Sequence, residues 1–205
     1  MTQQAQAAGG TAAARVSERG AATRAVLLAA AREVFTSVGF AEASVTEIVT
    51  KAGASVGSLY HHFDGKADLY LVLHDEFQDE LAERARQATR EARAGGIRDP
   101  KELFLAGARS YLDGCIEQRG LARRFVSGDG PPGFDLVMRQ RIREWAIKNA
   151  EFFARSEEPD DEPLAVVLTG ALVMAVGEVA LRDDARRARR IADGVLRVMA
   201  GIGGQ

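Results

Sequence analysis

The chain is poor in most of the features that mark a stapled, metal-bound, membrane-spanning or bulk-basic protein. One cysteine, Cys115, stands alone in 205 residues, which excludes an intramolecular disulfide. With three histidines and that one thiol there is no Cys/His spacing suited to a metal, so neither a metal site nor a cofactor is expected. There is no excess of positive charge. Lys and Arg number 27 against 29 Asp and Glu, a formal net charge of -2, so any contact with a polyanion must come from a local patch. No run approaches the ~18 consecutive apolar residues of a membrane span. The start, Met1-Thr2-Gln3-Gln4, lacks the basic-then-apolar order of a signal peptide. A soluble, cytoplasmic protein with no membrane partner is the expectation.

Catalytic signatures are missing too. No Walker loop, H-E-x-x-H or G-x-S-x-G occurs. Gly128-Asp129-Gly130-Pro131-Pro132-Gly133 formally fits a dinucleotide glycine pattern. No strand precedes it, however, and two prolines stand where the nucleotide-binding helix should begin. The chain is not expected to be an enzyme. Nowhere do apolar and polar residues alternate with β-branched enrichment, which removes strands.

What is present is helical period. Leu27, Ala30, Ala31, Val34, Phe35 and Val38 recur at three- and four-residue steps, and Gly39 ends that helix. Short helices follow from Ser44 and from Ser55. A long one covers about 66–94, and another runs from Pro100, a favoured first helical residue, to about 118. A short piece at 121–126 precedes the Gly/Pro loop. Later helices carry Met138, Ile142, Trp145, Asn149 and Phe152 on one face, then an apolar segment at 164–181 expected to be buried on most sides, then 185–200. The fold class is all-α with about nine helices. Residues 1–22 are read as a disordered arm, 23–66 as a helix-turn-helix domain and 67–205 as a helical regulatory and dimerisation domain. Arg15, Arg19 and Arg24 leave two readings of the arm open, a solvated tail or a basic contact to DNA.

The informative stretch is 44–66. Ser44-Val45-Thr46-Glu47 fits a capping box, Gly53 allows a left-handed turn, and Ser55 can cap the next helix. Two short helices joined by a tight glycine turn form a helix-turn-helix. The second opens with small residues, Ser55, Val56, Gly57 and Ser58, which let a helix end approach the floor of a ~12 Å major groove. Ser58 can hydrogen-bond a base edge and Val56 can touch a thymine methyl. Tyr60, His61, His62 and Lys66 supply hydroxyl, imidazole and ammonium donors for phosphate oxygens. Adjacent histidines on a helix point in different directions and make a poor chelate.

From 24 to 69, including Ser44-Val45-Thr46-Glu47-Ile48 and Ala52-Gly53-Ala54-Ser55-Val56-Gly57-Ser58-Leu59-Tyr60-His61-His62-Phe63-Asp64-Gly65-Lys66, the chain resembles the DNA-binding signature of the TetR family. The resemblance implies that Ser44, Tyr60, His62 and Lys66 contact phosphates and that Ser55, Val56, Gly57, Ser58 and His61 lie at base edges. Ala54 stands where that family usually has valine, and Val49 where it usually has alanine. The resemblance also implies a repressor on double-stranded DNA at a palindromic operator, a homodimer joined by the last two helices, and release by a small hydrophobic effector. For the dimer interface the sequence offers Gly170, Met174, Gly177, Ile191, Val195 and Val198. For the effector pocket it offers Phe104, Tyr111, Cys115, Phe125, Trp145, Asn149, Phe152 and Met174, a stripe that serves equally as plain core. Two rivals remain at this point: a regulator controlled by a protein partner, and a helical enzyme or lipid carrier with a vestigial DNA motif.

Overall fold

The computed structural model describes the backbone of residues 3–153 and 161–202, and side chains over 19–153 and 163–202. The described residues form nine α-helices and no strand: α1 Gln3–Glu42, α2 Val45–Ala52, α3 Val56–His62, α4 Lys66–Ala94, α5 Pro100–Glu117, α6 Arg119–Val126, α7 Phe134–Phe153, α8 Asp161–Ala180 and α9 Ala185–Gly201. The all-α expectation therefore stands. Of the acidic stretch 156–163, expected to be a loop, 156–160 lies outside the described residues, as do residues 1–2 and the side chain of Arg15. Residues 161–163 form the first turn of α8 instead, where a proline is tolerated because its missing N–H would have no helical partner.

The helical backbone of α1 begins at Gln3, inside the segment expected to be an unstructured arm. The reason is local: alanine with Gln, Arg and Glu makes up most of the segment, and their high intrinsic helix propensity needs little to bury and outweighs Gly9, Gly10 and Gly20. The helix breaks where the sequence places its end, at Gly39 (φ 86°, ψ 178°).

The chain divides into two compact units, Met1–Leu73 and His74–Gln205, and the boundary falls inside α4, later than the expected 66/67. Side-chain burial explains the difference. Leu69, Tyr70 and Leu73, from the first two turns of α4, are fully buried and belong with the N-terminal core of Leu27, Val34, Phe35, Ile48, Leu59 and Phe63. The Tyr70 ring meets Phe35 and Phe40 edge-on, each at 5.3 Å between centroids.

Polar groups at the helix ends fix the turns. The Ser44 hydroxyl accepts the Glu47 N–H at 3.1 Å and starts α2. At its end Gly53 adopts φ 62°, a left-handed conformation, and Gly53 and Ala54 donate back to the Thr50 and Val49 carbonyls. Two residues on, the Ser55 hydroxyl accepts the Ser58 N–H at 3.1 Å and starts α3.

In the C-terminal unit α5 is the central helix, with Leu103, Phe104, Ala108, Leu112, Cys115 and Ile116 buried. Asp99 caps it through the Lys101 N–H at 2.8 Å. It lies close to α4 at Gly107, where an added Cβ would sit 2.8 Å from Thr89 Oγ1 and 3.3 Å from the Ala85 carbonyl oxygen. A backbone oxygen cannot move aside as a side chain can. Gly107→Val is therefore expected to destabilise the protein by roughly 1–3 kcal/mol, read as a lowered midpoint in urea unfolding followed by circular dichroism.

Candidate nucleic-acid interface

Helix α3 is held by two apolar anchors, and its remaining faces are open. Leu59 and Phe63 are buried in the N-terminal core. Between and before them, Ser55, Val56, Gly57, Tyr60 and His61 are exposed, and Ser58 and His62 are half-buried. Tyr60 is 58% exposed, with its phenol free to reach outward. The His61 and His62 rings lie 4.9 Å apart at a steep angle, so the two imidazoles point differently, as expected for neighbours on a helix. The leading end of α3 is thus small and accessible, and its trailing end carries neutral donors. Ser44 is exposed as well, although its hydroxyl already accepts the α2 cap bond. At the family-atypical positions, Val49 is buried and Ala54 half-buried, a matter of packing and not of contact.

Lys66 departs from the expectation. Its ammonium donates to the carbonyls of Phe40 (2.7 Å), Ala43 (2.8 Å) and Ala41 (3.3 Å), and lies 4.4 Å from the centre of the Phe40 ring. An ammonium has three donors, and all three are occupied here. Expected as a phosphate contact, Lys66 instead closes the end of α1, where the break at Gly39 leaves carbonyls without helical partners. Arg24, one of the arm cations, stands over the Phe63 ring at 5.1 Å, while Arg19 is exposed.

The residues expected to line an effector pocket are brought together only in part. Tyr111 stacks on Trp145 (5.6 Å, 23° between planes), one helical turn from the fully buried Cys115. Phe104 and Phe152 meet through Phe153, at 5.4 and 5.6 Å. Asn149 donates to the buried Thr169 hydroxyl at 3.1 Å. Phe125 belongs to a separate ring cluster with Phe77, His74 and Phe134. Met174 is not interior at all: it is 68% exposed, because a stripe of period 3.6 on a helix as apolar as α8 fits an outward face as well as an inward one. Two open surface grooves, of about 600 and 360 Å³, are lined by other residues, around Glu83 and Gln87 and around Ala106 and Arg197.

Sequence reasoning missed His74 and Gln78. His74 is fully buried, the amide of Gln78 bridges it to the Tyr111 hydroxyl, and burial pushes its pKa down. The available signal was its place on the α4 stripe Tyr70-Leu73-His74-Phe77-Leu81, the one imidazole in an otherwise aromatic and aliphatic series.

Helix α8 was expected to be buried on most sides, and in the single chain it is not. Val166 (65% exposed), Val167, Gly170 and Met174 form an open face, and Val198 on α9 is 69% exposed. Gly177, Ile191 and Val195 are half-buried, so none of the six expected interface residues is fully buried in the single chain. By length and composition α8 over Pro163–Ala180 would be apolar enough to cross a membrane, although Thr169 and Glu178 interrupt its apolar run.

Residues 27–73 match the family model described as bacterial regulatory proteins, tetR family. The chain is 29% identical to the HTH-type transcriptional activator FasR of Mycolicibacterium smegmatis, covering 85% of this chain and 68% of that one. It is 28% identical to the HTH-type transcriptional repressor Rv1474c of Mycobacterium tuberculosis, over 77% of this chain and 85% of that one. A TetR-family transcriptional regulator from Pectobacterium atrosepticum superimposes with a TM-score of 0.62 at 25% identity, covering 90% and 94% of the two chains. A transcriptional regulator from Aquifex aeolicus gives a TM-score of 0.68 at 17% identity, over 87% and 98%.

Two outcomes follow from these side-chain environments. Lys66→Met strands three carbonyls and is expected to cost about 1–3 kcal/mol, seen as earlier urea unfolding and faster proteolysis of residues 19–73. The second concerns acid. Burial lowers the His74 pKa in the folded chain, so the unfolded chain takes up the proton first as pH falls. Stability is therefore full above the unfolded value of about 6.5 and declines below it. His74→Phe is expected to flatten that decline between pH 7.5 and 5.5, measured as the difference in urea midpoints.

Proposed function

Because this chain belongs to the tetR family of bacterial regulatory proteins and is a DNA-binding transcriptional regulator, we propose that it acts as a ligand-released repressor, a homodimer on a palindromic operator. Regulators of this family work by binding DNA and not by catalysis. The observation that carries the DNA-contacting residues is the exposure of α3: Val56, Gly57, Tyr60 and His61 lie open while Leu59 and Phe63 anchor the helix from behind. In this reading Ser55, Val56, Gly57, Ser58 and His61 meet base edges. Ser44, Tyr60 and His62 meet phosphates, and Lys66 holds the domain together. Neutral donors predominate, so affinity depends less steeply on salt than for a lysine- and arginine-rich binder.

The exposed apolar face of α8, with Val198 of α9, supports the second copy. A contiguous apolar surface with small residues suits close helix packing, and a two-fold dimer would present two recognition helices one or more helical turns apart, ~34–36 Å per turn. Residues 67–205 would then regulate as well as dimerise. An effector bound there releases the operator only if it prefers the dimer conformation whose helices no longer match both half-sites. Of the two curated relatives above, one is named an activator and one a repressor; the repressor reading follows the relative whose length the chain covers more fully. The protein works in the cytoplasm, where the DNA is.

The test is selection of bound duplexes from a random library, followed by fluorescence anisotropy on the enriched sequence. A palindromic site is expected. Tyr60→Ala should weaken binding roughly tenfold or more, the worth of a hydrogen bond to a charged acceptor, with the urea midpoint unchanged. No enrichment at low salt would refute the DNA assignment. Met174→Arg should convert the dimer to monomer in light scattering and abolish binding to the full palindrome. A dimer that survives Met174→Arg together with Val198→Asp would refute the interface.

A further inference from the structure

In the C-terminal unit three side chains form a directed hydrogen-bond series that DNA binding does not use. The Tyr111 hydroxyl donates to Gln78 Oε1 at 2.6 Å. That bond sets the amide: its oxygen faces Tyr111, and its nitrogen faces His74 Nε2 at 3.4 Å. Nε2 is therefore an acceptor, and the neutral imidazole carries its proton on Nδ1. Nδ1 is buried and makes no hydrogen bond; the nearest carboxylate oxygen, Asp75 Oδ1, is 3.5 Å away and already holds Arg141 at 2.8 Å. The contact with Asp75 is electrostatic attraction, too long to satisfy the N–H.

A buried N–H without a partner costs on the order of 1–3 kcal/mol and calls for an explanation. The surroundings are apolar and aromatic. Phe125 and Phe134 stand edge-on to His74 at 5.0 and 5.1 Å, and Trp145 stacks on Tyr111. The groups facing His74 are few: Asp75 and Gln78 on α4, Tyr111 beyond Gln78 from α5, Phe125 from α6, and Phe134 and Arg141 from α7. Burial also pushes the Cys115 thiol to about 12 and raises the Tyr111 phenol above its ordinary range.

We propose that His74, Gln78 and Tyr111 are the polar anchor of the effector site, and that the effector is a mainly apolar molecule bearing an uncharged carbonyl-type acceptor. The proposal rests on the reading that the C-terminal unit binds an effector, and it names the chemistry of that site. The one donor left for such a ligand is His74 Nδ1–H, on the ring edge away from Gln78; Tyr111 and Gln78, bonded to each other and to Nε2, hold the imidazole in the tautomer that presents it. A carboxylate is disfavoured, because it would be desolvated with no free cation to meet it; Arg141 is already committed to Asp75.

Trp145 is the single tryptophan and reports on the site. The full-length protein is titrated with 2-nonanone and with nonanoate at pH 7.5, by Trp145 fluorescence and calorimetry. The ketone is expected to bind at least tenfold more tightly and to shift Trp145 emission. Gln78→Leu and, as the milder variant, Tyr111→Phe should each weaken the ketone roughly five- to tenfold with little effect on the carboxylate. Equal or tighter carboxylate binding, ketone affinity unchanged in both variants, or no response to the ketone up to its solubility limit would overturn the anchor. Anisotropy on the selected operator separates the two readings. Ketone binding without operator release keeps the anchor and removes release by such ligands. Release by a compound whose binding ignores Gln78 and Tyr111 keeps the release mechanism and removes the anchor.

Discussion

One ammonium group holds the DNA-binding unit in shape. Helix α1 stops at a glycine and leaves carbonyls of Phe40, Ala41 and Ala43 facing one point, where Lys66 reaches all three from the first turn of α4. Those carbonyls lie in the turn just past the break at Gly39, and because the donor is an ammonium the bonds are charge-assisted as well as geometrically complete. Aromatic packing completes the joint: Phe40 receives the charge on its face and meets Tyr70 edge-on. Because α2 and α3 follow directly from this point, the outward face of α3 inherits its position from a contact that touches no DNA.

Much of the N-terminal unit was legible because its determinants are local. Ser44, Gly53 and Ser55 each act within three or four residues of themselves, and each does what its position in the sequence implies. The role of Lys66 was not legible, since its partners are backbone carbonyls more than twenty residues away and a carbonyl has no residue identity. The helical backbone at the start of α1 was missed for the opposite reason: composition suggested nothing to bury, while alanine propensity needs nothing to bury.

In the C-terminal unit, periodicity located helices but could not say what each face meets. Met174 fitted a pocket stripe and an interface stripe equally, and its exposure removes it from the interior. Of the expected pocket residues, Tyr111 and Trp145 stack on one another, whereas Phe125 belongs to a different ring cluster. His74 and Gln78 were overlooked because α4 beyond Leu73 is rich in charged residues and reads as a solvated helix. A histidine on its apolar stripe was the cue, and its meaning appears only when Gln78 is seen to bond in both directions.

The two units share an economy of charge that bears on how the protein can exist. With a formal net charge of -2, electrostatic repulsion does little to keep copies apart. Helix α8 at the same time leaves Val166, Val167 and Met174 in water beside glycines around which a Cβ would meet nothing. Apolar surface of that kind on a free monomer is an aggregation liability unless something of matching shape covers it. A heterologous cover would leave the same face open on another copy, whereas a two-fold pairing closes both faces at once. Under the proposed two-fold pairing the same closure would bring two recognition helices into one particle, which is what reading a palindrome requires.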